Sequence, residues 1–251
     1  MVDRKKCVTV IKIDYANGIW DTIREYDRSM ISIIFDFDGV LVDSRPVIGT
    51  CLKESLLDFG IEEPNHVELS TLIGPPLEVG LTRFLIQRGL NLDVFPNIVT
   101  RFRDSYARKS IQNTFLYPDV NEMLQDLYVK KIPMYIATSK PRFLTIPLIK
   151  ELEIEKYFEI VQAPIGDRVE DKIETLKNLL YAMSNFNKLD SRRIFMIGDR
   201  GVDILAAHDN NIESIGVTWG YGTQDELLAA NPDYLVESPK QLIQLLITGG
   251  S

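Results

Sequence analysis

Apolar positions along the chain gather in short β-rich runs separated by amphipathic stretches. Ile31 to Phe35 is nearly continuous apolar sequence and stops at Asp36-Phe37-Asp38-Gly39. Such a run predicts a strand covered on both faces, as in a parallel sheet. Three later segments have the same form: Pro133 to Ala137 ending in Thr138-Ser139, Arg193 to Ile197 ending in Gly198-Asp199, and Ser214 to Val217 ending in Thr218. Phe158 to Val161 is a weaker fifth. Helical periodicity fills the intervals at Val120–Leu127, Thr145–Leu152, Lys172–Met183 and Val202–His208. Strands alternating with helices predict an α/β fold with right-handed crossovers.

Residues 46–113 break this rhythm. They hold no strand-like run but three amphipathic segments, Val47–Phe59, Pro76–Arg88 and Phe95–Ser110, punctuated by Gly60, Gly74-Pro75-Pro76 and Gly89. The expectation is a helical cap (46–113) inserted into an α/β core (30–45 and 114–251). Residues 1–29 read as an extension before that core. There Val8, Val10 and Ile13 suggest a short strand, and Ile19 to Tyr26 a weak helix.

Composition narrows the class. With 251 residues, 45% hydrophobic and 25% charged, the chain is long enough to bury a core without cross-links. The net charge of -8 argues against nucleic acid or an anionic membrane as partner. Cys7 and Cys51 form no CxxC, and Cys51 reads as a small apolar residue of a cap helix. His66 and His208 are too few for a multi-histidine metal site and read as structural or surface groups. There is no apolar run of ~18 residues and no secretion-signal pattern at the N-terminus, so a cytoplasmic setting is expected.

The polar residues supply the chemistry. Asp36 and Asp38, Thr138 and Ser139, and Asp199 each end an expected strand. Ligands of open parallel sheets bind outside the carboxyl ends of the strands, so these segments are expected to converge. Gly39 then permits a sharp turn. Asp36, Asp199 and Asp203 in one crevice repel one another unless a cation lies among them. Oxygen ligands alone select a hard ion, and Mg²⁺ fits best, with a phosphate as its companion.

These residues also resemble a known family. Phe35-Asp36-Phe37-Asp38-Gly39-Val40-Leu41-Val42-Asp43-Ser44, Tyr135-Ile136-Ala137-Thr138-Ser139-Lys140-Pro141 and Ile197-Gly198-Asp199-Arg200-Gly201-Val202-Asp203 resemble the first, second and fourth motifs of the haloacid dehalogenase-like (HAD) hydrolases. The tail Ile215 to Gly222 is similar to the phosphoglycolate phosphatase branch. The resemblance spans roughly residues 30–248. It implies a Rossmann-like core with an inserted α-helical cap of the C1 type. It further implies Mg²⁺-dependent hydrolysis of a small phosphorylated metabolite through an aspartyl phosphate. Asp36 is then the nucleophile and Asp38 the general acid and base. Thr138, with Ser139 and Gly39 near it, binds the phosphoryl group. Lys172 balances its charge, and Asp36, Asp38 (by its carbonyl), Asp199 and Asp203 serve the metal.

The lysine motif is the least regular, since no Lys-Pro pair occurs, and Arg168 or Lys140 is the fallback for Lys172. A phosphomutase acting on sugar phosphates, a nucleotidase or a pyrophosphatase of the same fold are the alternatives. A dehalogenase is disfavoured by Asp38 and the Gly198 to Asp203 pattern. The resemblance also implies that Leu72-Ile73-Gly74-Pro75-Pro76-Leu77 dips toward the site. Arg45, Arg83 and Arg88 are candidate contacts for an acidic substrate, but a solvated helix face is the better reading of each. Hinges are expected near Ser44–Pro46 and Thr114–Pro118.

Overall fold

The computed structural model describes residues 11–12, 31–73, 77–166, 170–185 and 193–248. The expected strand in Val8, Val10 and Ile13 and the helix at Ile19–Tyr26 lie outside them. Among the described residues, Ile11–Lys12 (β1) pairs antiparallel with Tyr234–Val236 (β9).

The central sheet has the order β1-β9-β8-β7-β2-β5-β6. Its parallel strands are Ile31–Phe35 (β2), Met134–Ala137 (β5), Ile160–Gln162 (β6), Arg193–Gly198 (β7), Glu213–Val217 (β8) and β9. The chain starts the parallel set at β2, adds β5 and β6 on one side, then crosses back to add β7, β8 and β9 on the other. β2 is therefore the strand at which the winding direction reverses, the place where doubly wound sheets open a crevice at their carboxyl ends.

Period-two alternation explains how the sheet is covered. Ile31, Ile33 and Phe35 face one layer together with Met134, Ile136, Phe195 and Ile197. Ile34, Tyr135, Ala137, Ile194 and Met196 face the other. The first layer is closed by Val120–Val129 (α5) and Pro239–Thr248 (α10), through Met123, Leu124, Leu127, Leu242, Leu245 and Leu246. The second is closed by Lys172–Asn185 (α7) and Gly201–Asp209 (α8), through Leu176, Leu179, Met183, Ala206 and Ala207. Both faces of β2 are thus dry, which accounts for its near-continuous apolar sequence.

Arg45–Leu57 (α1), His66–Leu72 (α2), Leu77–Gln87 (α3) and Phe95–Asn113 (α4) fill the interval that lacked strand signals. Pro46 and Pro96 start α1 and α4 at positions where a missing N–H costs nothing. An Asn65–Glu68 capping box starts α2. These helices share their own apolar cluster, including Leu52, Leu56, Leu81, Phe84, Ile98 and Phe102. Leu144 of Arg142–Glu151 (α6) joins that cluster and ties it to the sheet layer. The chain leaves for these helices through Val42–Asp43 (β3) and returns through Phe115–Leu116 (β4), two strands paired antiparallel. Among the described residues, no helix is long and apolar enough to cross a membrane.

Leu52 is fully buried between α1 and α4. Leu52→Ala is expected to lower the unfolding free energy by about 3 kcal/mol, because the cavity left behind collapses only in part. Urea denaturation measures this directly, and a loss below about 1 kcal/mol would mean that the helical cluster is loosely packed.

Candidate active site

The in-register pairing of β2 with β5 and β7 brings their carboxyl ends to one level. Phe35 lies opposite both Ile136 and Ile197, and the Asp36 amide donates to the Ile197 carbonyl at 2.9 Å. Asp36 leaves β2, Thr138 leaves β5 and Asp199 leaves β7. Asp203 follows on the first turn of α8, and Lys172 opens α7. Residues separated by more than 160 positions in sequence therefore line one cavity of about 330 Å³.

Its floor is acidic and dry. Asp36 is 9% exposed, and Asp199 and Asp203 are fully buried. One carboxylate oxygen from each of the three lies within 4.8 Å of the others. The Lys172 ammonium sits among them, 2.7 Å from Asp36 Oδ1 and 3.0 Å from Asp203 Oδ1, and donates to the Ala137 carbonyl at 3.2 Å. Asp199 Oδ2 accepts the Tyr221 amide at 2.6 Å, and Asp203 Oδ2 accepts the Arg200 amide at 3.1 Å. Asp199 Oδ1, although buried, has no hydrogen-bond partner, and Asp203 Oδ1 meets only the Lys172 charge.

One lysine does not neutralise three carboxylates. Burial pushes the Asp36 carboxyl up; Lys172 pulls it back and Asp203 pushes it up again, leaving it at about 7. Burial, and then the charges of Asp203 and Asp36, hold Asp199 well above the usual carboxylate range. Burial alone would push Lys172 down, but Asp203 and Asp36 outweigh it and its pKa is raised. An orphaned buried oxygen and unneutralised carboxylates within reach of one another are the features a hard divalent cation satisfies. The three acids therefore fit such an ion.

Asp38 sits apart from this trio. Both its oxygens face the Lys140 ammonium, at 3.0 and 3.2 Å, and Oδ1 accepts the Ser44 hydroxyl at 2.6 Å. Lys140 also contacts the Tyr106 hydroxyl and lies over that ring, 4.5 Å from its centroid. Tyr106 comes from α4, so this contact joins the helical insert to the sheet. Thr138 is buried, and its hydroxyl accepts the Lys140 amide at 3.1 Å; Ser139 is exposed at the cavity rim.

Gly39 makes the floor possible. Its φ of 87° is left-handed, and a Cβ there would stand 2.2 Å from Asp199 Oδ2. Gly198 does the same for α8, since a Cβ would stand 2.0 Å from the Asp203 Cβ.

The candidate arginines lie away from the cavity, as a solvated helix face requires. Arg45, Arg83 and Arg88 do not line the cavity. Arg45 pairs with Asp43 at 2.9 Å and lies over Tyr221, Arg88 pairs with Glu68 at 2.6 Å, and Arg83 is exposed. The charges of Arg45 and Arg88 are satisfied by neighbouring acids. Leu72, Ile73 and Leu77 do line the cavity, whereas Gly74-Pro75-Pro76 and Arg168 lie outside the described residues. Glu170, buried and with Oε2 unpartnered, went unnoticed, as did Tyr106. The spacing of Phe102 and Tyr106, one turn apart on α4, was the available signal for the latter.

The sequence pattern defining the haloacid dehalogenase-like hydrolases matches residues 33–217. A 5'-nucleotidase of Pseudomonas aeruginosa is 28% identical over 215 residues, covering 86% of this chain and 95% of its own. A phosphoglycolate phosphatase of Nitrosococcus oceani is 30% identical over 217 residues, covering 85% and 95%. A solved haloacid dehalogenase-like family hydrolase from Streptococcus pneumoniae superimposes with a TM-score of 0.75 at 27% identity, covering 86% of this chain and 97% of its own.

The raised carboxyl pKa values carry a stability signature. A group whose folded pKa exceeds its unfolded one stabilises the fold below the unfolded value, and that contribution is lost as pH rises through the folded value. For Asp36 the window runs from 3.8 to about 7. The metal-free protein is therefore expected to lose melting temperature between pH 5 and pH 8. Asp199→Asn, which removes one of the repelling charges, should raise it at pH 8 by about 2–5 °C. Thermal denaturation in EDTA reads both effects, and a flat profile with no gain in the variant would contradict the crowding described here.

Proposed function

Because the chain belongs to the haloacid dehalogenase-like hydrolases and is a phosphatase of that type, we infer that it hydrolyses a small phosphomonoester with Mg²⁺ in the acidic floor and Asp36 as nucleophile. The observation that carries this reading is Asp36 held at 2.7 Å by Lys172 within a buried acidic trio.

Asp36, Asp199 and Asp203, with the Asp38 carbonyl, would hold the ion, Asp203 directly or through its water. When bound, Mg²⁺ supplies the positive charge that lets an anionic ester approach anionic side chains. The remaining chemistry belongs to the chain. The Phe37 amide and Lys172 fix the Asp36 carboxylate, so one oxygen is oriented for in-line attack on phosphorus. As that P–O bond forms, the ester P–O bond breaks, and Asp38 gives its proton to the departing alkoxide. Ser44 and Lys140 hold the Asp38 carboxyl in place for this transfer. Thr138 and Lys172 donate to the phosphoryl oxygens, while Ser139 and the Gly39 turn border them. Asp38, now a carboxylate, takes a proton from water, whose oxygen attacks phosphorus and releases Asp36. Loss of charge repulsion and fixed geometry are the main sources of acceleration in phosphoryl transfer.

In this account residues 46–113 act as a cap over the cavity, moving about segments near Ser44–Pro46 and Thr114–Pro118, and residues 1–29 are an appendage to the 30–45 and 114–251 core. The named relatives suggest two leaving groups: glycolate from the phosphoglycolate phosphatases and a nucleoside from the 5'-nucleotidase.

Hydrolysis of p-nitrophenyl phosphate is expected to require Mg²⁺ and to vanish in EDTA. Asp36→Asn should lower kcat about 10³-fold or more, and Lys172→Met nearly as far, since each removes a group used in the transition state. Borohydride added to protein turning over substrate should reduce the Asp36 acyl phosphate to homoserine at position 36 with release of phosphate, a change that peptide mass spectrometry detects. Metal-independent turnover, or full activity in Asp36→Asn, would refute the reading.

A further inference from the structure

The wall facing the acidic floor has a different character. It is formed by Ile48, Leu72, Ile73, Leu77, Phe102 and Leu144, contributed by α1, the α2–α3 region, α4 and α6. These side chains share the cavity with Asp36 and are the apolar surface open to the leaving group of an ester bound there. Among the described residues, seven carboxylates but four basic side chains line the whole cavity. Each of the four is already matched to a protein carboxylate. Lys172 is held by Asp36 and Asp203, and Lys140 by Asp38. Arg200 pairs with Glu226 at 2.8 Å, and Arg103 pairs with Glu78 at 2.8 Å.

A carboxylate brought in on the leaving group would lose its hydration against this apolar wall. Among the described residues it would find no side-chain cation that is not already paired, and it would add to an excess of negative charge. An uncharged apolar group would instead bury its surface there, at about 25 cal/mol per Å². Resting on the reaction read above, we propose that the preferred substrate is a phosphomonoester of an uncharged alcohol presenting an apolar or aromatic face, and that phosphoglycolate is a poor substrate. The cavity volume of about 330 Å³ suits a phosphoryl group with a leaving group of modest size.

Glu78 on α3 is the residue that enforces the charge discrimination at the cap side. Its carboxylate occupies the one cap arginine that lines the cavity among the described residues. Glu78→Gln leaves Arg103 charged but without that partner and so makes a substrate carboxylate acceptable.

The test compares kcat/KM of the Mg²⁺-loaded full chain for propyl phosphate, benzyl phosphate, uridine 5'-monophosphate and phosphoglycolate, each repeated with Asp36→Asn. Propyl phosphate and phosphoglycolate are close in size and differ in charge. The expected result is a preference of about tenfold or more for propyl over glycolate phosphate, with benzyl phosphate better still. Uridine 5'-monophosphate ranking with benzyl phosphate would identify the apolar face as a base, and ranking below propyl phosphate would identify it as a smaller group; both agree with an uncharged leaving group. In Glu78→Gln the ratio of phosphoglycolate to propyl phosphate should rise about fivefold or more. Phosphoglycolate equal to or better than propyl phosphate in the wild type would overturn the inference while leaving the phosphatase reading intact. Absence of Asp36-dependent turnover for every ester would overturn both.

Discussion

Like charges confined to a dry crevice are the constraint around which this structure is arranged. Asp36, Asp199 and Asp203 lie close together with almost no solvent, and Lys172 alone stands against them. Left to itself, such a cluster would hold protons at neutral pH, and Asp36 and Asp199 are displaced in that direction. The fold tolerates this arrangement because backbone amides, a buried ammonium and tight glycine turns fix each carboxylate. A site built in this way favours a cation, which relieves the repulsion among its carboxylates.

The sheet topology explains how the crevice arises from ordinary elements. β2 is central and dry on both faces, so its only polar outlet is its carboxyl end. The neighbours added on either side end at the same level, and each must turn there into a helix. Polar residues at those turns are therefore forced together, irrespective of their distance in sequence. The helical insert enters and leaves beside the same end through β3 and β4, which sets its apolar underside over the acidic floor. One cavity thus has two chemistries. Its floor is acidic and its facing wall apolar.

Much of this was legible in the residues. β2, β5, β7 and β8 announced themselves because strands buried on both faces cannot afford polar positions. Asp36, Asp38 and Asp199 were recognisable from their place at strand ends, Asp203 as the acid that follows Asp199 on the next helix, and Lys172 through the family resemblance, at the start of a helix. The C-terminal segment was read less well. Tyr234–Val236 is too short to show a period, and the Leu242, Leu245, Leu246 spacing of α10 was passed over although it is helical. The arginines could be read only as solvated faces or as candidate substrate contacts, for a physical reason. A basic side chain in sequence carries no record of the acid that will neutralise it, and Asp43 and Glu68 took Arg45 and Arg88 out of play. Glu170 and Tyr106 gain meaning only once the helical insert is laid over the sheet.

The central claim is that Asp36 and Asp199, 163 positions apart, share one divalent ion. Crystals of the wild-type protein soaked in Mn²⁺ would show this by anomalous scattering. The account predicts a single strong peak within coordination distance of Asp36 and Asp199, next to Asp203 and Lys172, and none in Asp199→Asn crystals. A peak elsewhere, or no peak in this crevice at saturating Mn²⁺, would contradict it.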